Sequence, residues 1–183
     1  MPRAALVLSL LLTLTGTARA EFDALLSAAR TGDTAAVLHM LAAGEAANPP
    51  SFHDGYSPLQ FAASRGDVEA VRALLAAGAD TEYRDHNGDR ALLWAARSLV
   101  PDAMRLLLDA GSPPDSDSDP YGRTALMDAA FVGNAETVRL LLAHGADPHR
   151  FDQNAETALH YAAWGGNTDV AALLLDAGAH PGV

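Results

Sequence analysis

Two ladders of small residues run through this chain in one register, and together they restrict its fold more tightly than any other feature. Alanine pairs stand at Ala28-Ala29, Ala62-Ala63, Ala95-Ala96, Ala129-Ala130 and Ala162-Ala163, in steps of 34, 33, 34 and 33 residues. Gly44, Gly78, Gly111, Gly145 and Gly178 keep the same steps. A fixed period of this length marks a stack of repeated units, each of which buries its apolar face only against its neighbours. Every unit reads as a short alanine-rich helix followed by a leucine-rich one. In the fourth, Val138, Leu141 and Leu142 line one apolar stripe while Glu136, Thr137 and Arg139 can face water. The alanine pairs let neighbouring helices approach closely. The glycine at each unit's end supplies the left-handed C-cap that a side chain with Cβ disfavours.

Composition supports helices over a sheet sandwich. Aromatic residues make up 6% of the 183, so the core is built of Ala, Leu and Val. The formal charge is −11, and all twelve basic residues are arginine. That field opposes a phosphate backbone, so nucleic acid is excluded as a partner and a basic or neutral protein surface is expected. The same charge favours a soluble monomer. There is no cysteine, which removes disulfides, thiol nucleophiles and thiolate metal sites together.

Residues 1–20 have a different character. Arg3 precedes an apolar stretch from Ala4 to Leu14, and Ala18-Arg19-Ala20 offers small residues for cleavage. The stretch is shorter than the roughly 20 residues a membrane-spanning helix needs. A signal peptide over 1–20 is expected, with Glu21 as the mature N-terminus, a periplasmic or secreted product, and no membrane association after cleavage.

The repeated segments resemble the ankyrin repeat. Asp54-Gly55-Tyr56-Ser57-Pro58-Leu59 with Gly78-Ala79-Asp80, Tyr121-Gly122-Arg123-Thr124-Ala125-Leu126 with Gly145-Ala146-Asp147, and Glu156-Thr157-Ala158-Leu159-His160-Tyr161-Ala162-Ala163 carry the likeness. It extends over residues 21–183 in about five units, at about 21–51, 52–84, 85–118, 119–151 and 152–183. The first is a half-matched cap. The resemblance implies an all-α solenoid of stacked helix-turn-helix units with short β-hairpin fingers, a concave groove, and a protein partner bound there without a cofactor. With the leader and the all-arginine composition, the chain is similar to small exported ankyrin proteins of Gram-negative bacteria. Some of these are encoded beside catalases or toxin-related enzymes, which implies an adaptor, inhibitor or protective role.

The third unit departs from the pattern. Arg90-Ala91-Leu92-Leu93 stands where the family has T-P-L-H, and Leu99-Val100-Pro101 occupies the turn that holds Gly32, Gly66, Gly133 and Gly166 elsewhere. A left-handed backbone at that turn costs about 1 kcal/mol for a residue with Cβ, whereas Pro101 suits the start of the next helix. Repeat drift and a binding loop are both open readings.

Chemistry-bearing candidates are few. Asp115, Asp117 and Asp119 alternate in the finger before the fourth unit and could attract a divalent cation. Pro120 and Leu126, however, stand where a calcium loop needs glycine and glutamate. The alternative function, a small-ligand or cation-binding protein, rests on this finger, residues 115–119. The seven histidines form no ligand pair by spacing, and neither a serine-nucleophile motif nor a phosphate loop is present, so no catalytic or metal residue is assigned. His160 matches the family's T-P-L-H histidine, whose role is a local hydrogen bond. Phe131 and Trp164 directly follow the alanine pairs of their units, in the column that holds Arg30, Ser64 and Arg97 elsewhere. Large aromatics on an exposed face are frequent binding anchors, although packing against each other is an equal reading. Partner contact is expected at Tyr56, Arg97, Asp119, Tyr121, Phe131 and Trp164. Trp94 and Tyr161 read as structural.

Overall fold

The computed structural model describes residues 24–48, 55–115 and 121–180. The leader, the cleavage site after Ala20 and residues 116–119 of the acidic finger lie outside the described residues. Residues 24–31 are helical and are called α1. There follow α2 (Thr34–Ala42), α3 (Pro58–Arg65), α4 (Val68–Ala76), α5 (Ala91–Ala96), α6 (Pro101–Asp109), α7 (Ala125–Val132), α8 (Ala135–Ala143), α9 (Ala158–Trp164) and α10 (Thr168–Asp176). They form consecutive antiparallel pairs in two layers. From α3 onward the odd helices pack on one another, the even helices from α2 onward do the same, and each odd helix packs on the even helix that follows it.

Local sequence sets the ends of these helices. Ser57 caps α3 in a reciprocal box with Gln60, with Pro58 in the first turn, and Thr124 accepts from the Met127 amide at the start of α7. Asp33, Asp67 and Asn134 cap the even helices α2, α4 and α8 through their side chains. The glycine ladder lies past the ends of the even helices in left-handed backbone, with φ between 80° at Gly78 and 92° at Gly178. Each alanine of the paired ladder is buried except Ala163, which lies on α9, the last odd helix among the described residues. Val37, Val71, Leu74, Met104, Leu107, Val138, Leu141, Val170 and Leu174 complete the core between the layers.

The expectation of short β-hairpin fingers changes. Among the described residues the fingers contain no named strand. Turns dominate, and the one strand-like pairing is an isolated antiparallel bridge between Phe151 and Thr157. The turn after α5 is not left-handed either, since Ala155 is the non-glycine residue with positive φ among those described. The chain reaches α6 through Arg97, whose φ of −81° and ψ of −12° are right-handed, and through an extended Val100, with the Ser98 hydroxyl accepting the Val100 amide at 3.1 Å. Val100 then fills the space over Gly66, where a Cβ would collide with it. The third unit therefore avoids the strain that a substituted left-handed glycine would carry.

Candidate functional site

The residue that follows each alanine pair stands at or near the C-terminal end of an odd helix. Arg30, Arg97, Phe131 and Trp164 are exposed there and Ser64 is half-buried, so the column forms one accessible edge of that layer. Phe131 and Trp164 leave 51% and 57% of their surfaces open, far above what a core aromatic keeps.

Their backbones are pinned together. A Cβ at Gly165 would collide with the Phe131 carbonyl oxygen, so only glycine allows α9 to approach α7 this closely. Asn167 then spans both helix ends, its side-chain amide donating to the Ala130 and Phe131 carbonyls at 2.9 and 2.8 Å. The two aromatics do not pack on each other. The ring partner of Trp164 is Tyr161, at 5.1 Å between centroids, and no ring contact joins Phe131 to Trp164 among the described residues. Both side chains are thus free for contact on rigid elements.

The column just before each alanine pair has a different role, holding Phe61, Trp94, Asp128 and Tyr161 in the last four units. Trp94 donates its indole N–H to Asp85 at 2.9 Å, and Tyr161 its hydroxyl to Asp152 at 3.0 Å. Each aspartate uses its other oxygen to take two backbone amides of its own finger turn: Asn87 and Asp89 for Asp85, and Asn154 and Glu156 for Asp152. These rungs tie finger to helix, which agrees with a structural reading of Trp94 and Tyr161. Burial alone raises the Asp152 pKa, but the Glu156 and Asn154 amides and the Tyr161 hydroxyl outweigh it and hold the carboxyl below 3.8. Burial, and then the hydrogen bond to Asp152, push the Tyr161 phenol up to about 12.

In the fourth unit Asp128 breaks the aromatic column. It is buried at 2% exposure and receives Arg97 at 2.7 Å and Arg123 as well. Arg97 also reaches Asp89 at 3.1 Å, so one guanidinium joins the third unit's finger to the fourth unit's helix. The period carries the signal for this network, because an acid in a column of aromatics calls for a cation.

The sequence-assigned contact residues therefore separate. Phe131, Trp164 and Tyr121 are exposed, Tyr121 at 56%. Arg97 shares the edge but is held by two carboxylates. Tyr56 is half-buried in a cluster with Phe61, Trp94 and His86, at centroid distances of 5.4, 5.5 and 6.2 Å. Asp119 lies outside the described residues. Phe151, exposed at 68%, was not singled out by sequence. It lies close to Tyr121 in space, because the Tyr121 carbonyl accepts the Gln153 amide at 2.9 Å. At the acidic finger, Asp115 is half-buried and spends one oxygen on the Asp147 amide at 2.9 Å, a bond that joins units. No group of three or more His, Asp or Glu side chains suited to a metal occurs among the described residues. His160 makes the expected local contacts, its Nδ1 lying 3.2 Å from the Thr157 amide and 3.0 Å from its hydroxyl.

No helix among the described residues is long and apolar enough to cross a membrane. A family model described as ankyrin repeats (3 copies) matches residues 25–118 and 102–183. Serine/threonine-protein kinase 12 of Arabidopsis thaliana is 37% identical over 51% of this chain and 20% of its own length. A putative ankyrin repeat-containing protein of Treponema pallidum is 37% identical over 46% of this chain and 28% of its own. Protein PhlB of Serratia liquefaciens is 38% identical over 51% of this chain and 41% of its own. The matched region is thus less than half the length of each of these relatives, and the kinase name describes a protein of which only a fifth is matched. Ankyrin repeats are in general modules for protein–protein interaction rather than catalysis. With the family model covering residues 25–183 and the paired helices stacked in its register, the chain belongs to the ankyrin-repeat family.

Proposed function

We propose that the chain is exported, is cleaved after Ala20, and acts in the periplasm or outside the cell as a monomeric stack of five ankyrin units that holds a partner protein along the exposed edge of its odd helices and its fingers. One observation carries the binding part of this reading: Phe131 and Trp164 stand open on helix ends that Gly165 and Asn167 lock in place. Rigid aromatics bury much area at little entropic cost, which is what a binding anchor requires. The export part is supported by the layout of residues 1–20. The net charge of −11 favours a partner whose overall surface is basic or neutral. Family likeness favours an adaptor, inhibitor or protective factor over an enzyme.

Both parts are open to direct measurement. The intact mass of protein recovered from the periplasm should begin at Glu21, and a mass that retains residues 1–20 sinks the cleavage claim. Partners captured with the parent protein should be lost with Trp164→Ala, at a cost of roughly 2 kcal/mol or more in affinity, while its melting curve stays unchanged. If folded Phe131→Ala and Trp164→Ala variants both bind as the parent does, the contact surface lies elsewhere.

A further inference from the structure

The edge that carries Phe131 and Trp164 changes chemistry along its length. In the first two units it holds Arg30 on α1 and Arg65 next to Ser64 on α3, both exposed. Arg65 folds back over the turn after α1, where its guanidinium occupies the space a Cβ at Gly32 would need, two residues beyond Arg30 in the chain. Neither has a carboxylate partner among the described residues, in a chain whose formal charge is −11. Arg97, the next arginine along, is taken by Asp89 and Asp128. The edge thus runs from an open cationic pair, across a neutralised arginine, to two open aromatics.

From this order we infer that the edge is a bipartite site for one extended polypeptide segment, in which Arg30 and Arg65 take a carboxylate and Phe131 and Trp164 take apolar side chains. The inference rests on the interaction reading above and adds the partner's local chemistry and its polarity. The acidic surface as a whole steers a basic partner at long range, while the arginine pair reads a single acidic group at contact. Guanidinium groups suit carboxylates through paired N–H donors, and the partner side chain that fits them is Asp or Glu. The spacing follows from the stack. Arg65 and Phe131 are two helix-to-helix steps apart and Arg30 and Trp164 four. At about 8–10 Å per step the two centres lie roughly 27 Å apart, or about eight extended residues. A phosphate backbone is the poorer occupant, because two arginines stand against the whole acidic field.

Panning a phage library of random peptides about sixteen residues long on the full purified protein tests this without knowledge of the natural partner. The selected peptides should carry Asp or Glu about eight residues from Phe, Leu or Trp, always in one order. Synthetic copies should lose about tenfold or more in affinity for Arg30→Glu/Arg65→Glu and for Trp164→Ala, measured by calorimetry on variants whose circular dichroism melts match the parent. Replacing the peptide's acidic residue by Lys should restore binding to the charge-reversed variant. Peptides that depend on Trp164 but bind the charge-reversed protein undiminished overturn the bipartite site and leave the interaction reading standing. Peptides indifferent to both changes, or no selected peptide at all, overturn both.

Discussion

Ala155 sits in left-handed backbone with φ of 61°, in the column that Gly55, Gly88 and Gly122 fill with φ of 64°, 81° and 74°. Its Cβ meets the following carbonyl oxygen in that conformation, a cost of about 1–2 kcal/mol, whereas glycine there gives back up to about 1 kcal/mol through the greater freedom of its unfolded chain. Ala155→Gly is therefore expected to stabilise the protein by about 0.5–1 kcal/mol, seen as a higher urea midpoint with an unchanged slope. A lower midpoint would mean that the alanine methyl makes contacts worth more than the strain. The repeat spacing alone places Ala155 in the glycine column, so the position is legible in the sequence and only the dihedral is not. Asp128 is similar. Its column holds Phe61, Trp94 and Tyr161, so the 33- and 34-residue steps already mark it as the odd member, but that Arg97 and Arg123 both converge on it depends on which side chains reach across units. This is why Arg97 reads as a contact residue from its column and as a bridge between units from its ion pairs.

Helices were the most readable elements, because caps, alanine pairs and terminal glycines are local signals with local causes. The fingers were the least readable, since their order comes from single rungs to the next helix. The Asp152–Tyr161 rung makes that dependence measurable through pH. Tyr161 has its folded pKa pushed up to about 12 from an ordinary 10.0, so the stability it contributes is fully present below 10.0 and is lost as pH rises through about 12. Asp152 has the opposite sign. Its folded pKa lies below 3.8, so its contribution is present above 3.8 and is lost as pH falls through the lowered value. Urea unfolding of the parent should show a fall in midpoint between pH 10.0 and about 12 that Tyr161→Phe lacks. Asp152→Asn should flatten the acid side and lower the midpoint at neutral pH, because an amide oxygen is a weaker acceptor for the Asn154 and Glu156 amides than a carboxylate. A Tyr161→Phe variant with the parent's alkaline profile would show that the rung does not hold the finger.

At the scale of the whole molecule, stability is a sum over neighbours, so what happens at one end should be felt one unit in and fade beyond it. The last pair, α9 and α10, covers α7 and α8, and the buried side chains at that junction include Leu141 at 0% and Ala130 at 0% exposure. The outer face of α9 and α10 already opens to solvent, with Leu175 at 49% exposed where its counterpart Leu142 is partly buried against the core. Among the described residues no further helix pair covers that face. Deleting residues 152–183 should move the open face inward by one unit and expose the Leu140–Leu142 layer. Leu140 is held at 8% exposure and Leu141 at 0% in the intact stack, and each leucine laid open costs about 1.5–3 kcal/mol. A junction worth about 3 kcal/mol lowers the melting temperature of a chain this size by roughly 10 °C, or leads to aggregation where the new apolar face finds a second copy. Hydrogen exchange separates the unit-by-unit reading from a general collapse. Amides of α7 and α8 should lose protection in the truncated protein, while those of α3 and α4, two junctions away, keep most of theirs. An unchanged melting temperature would show that the fifth unit is not part of the stack. Equal loss of protection from α3 to α8 would show that the stack behaves as one cooperative block rather than as a chain of neighbour contacts.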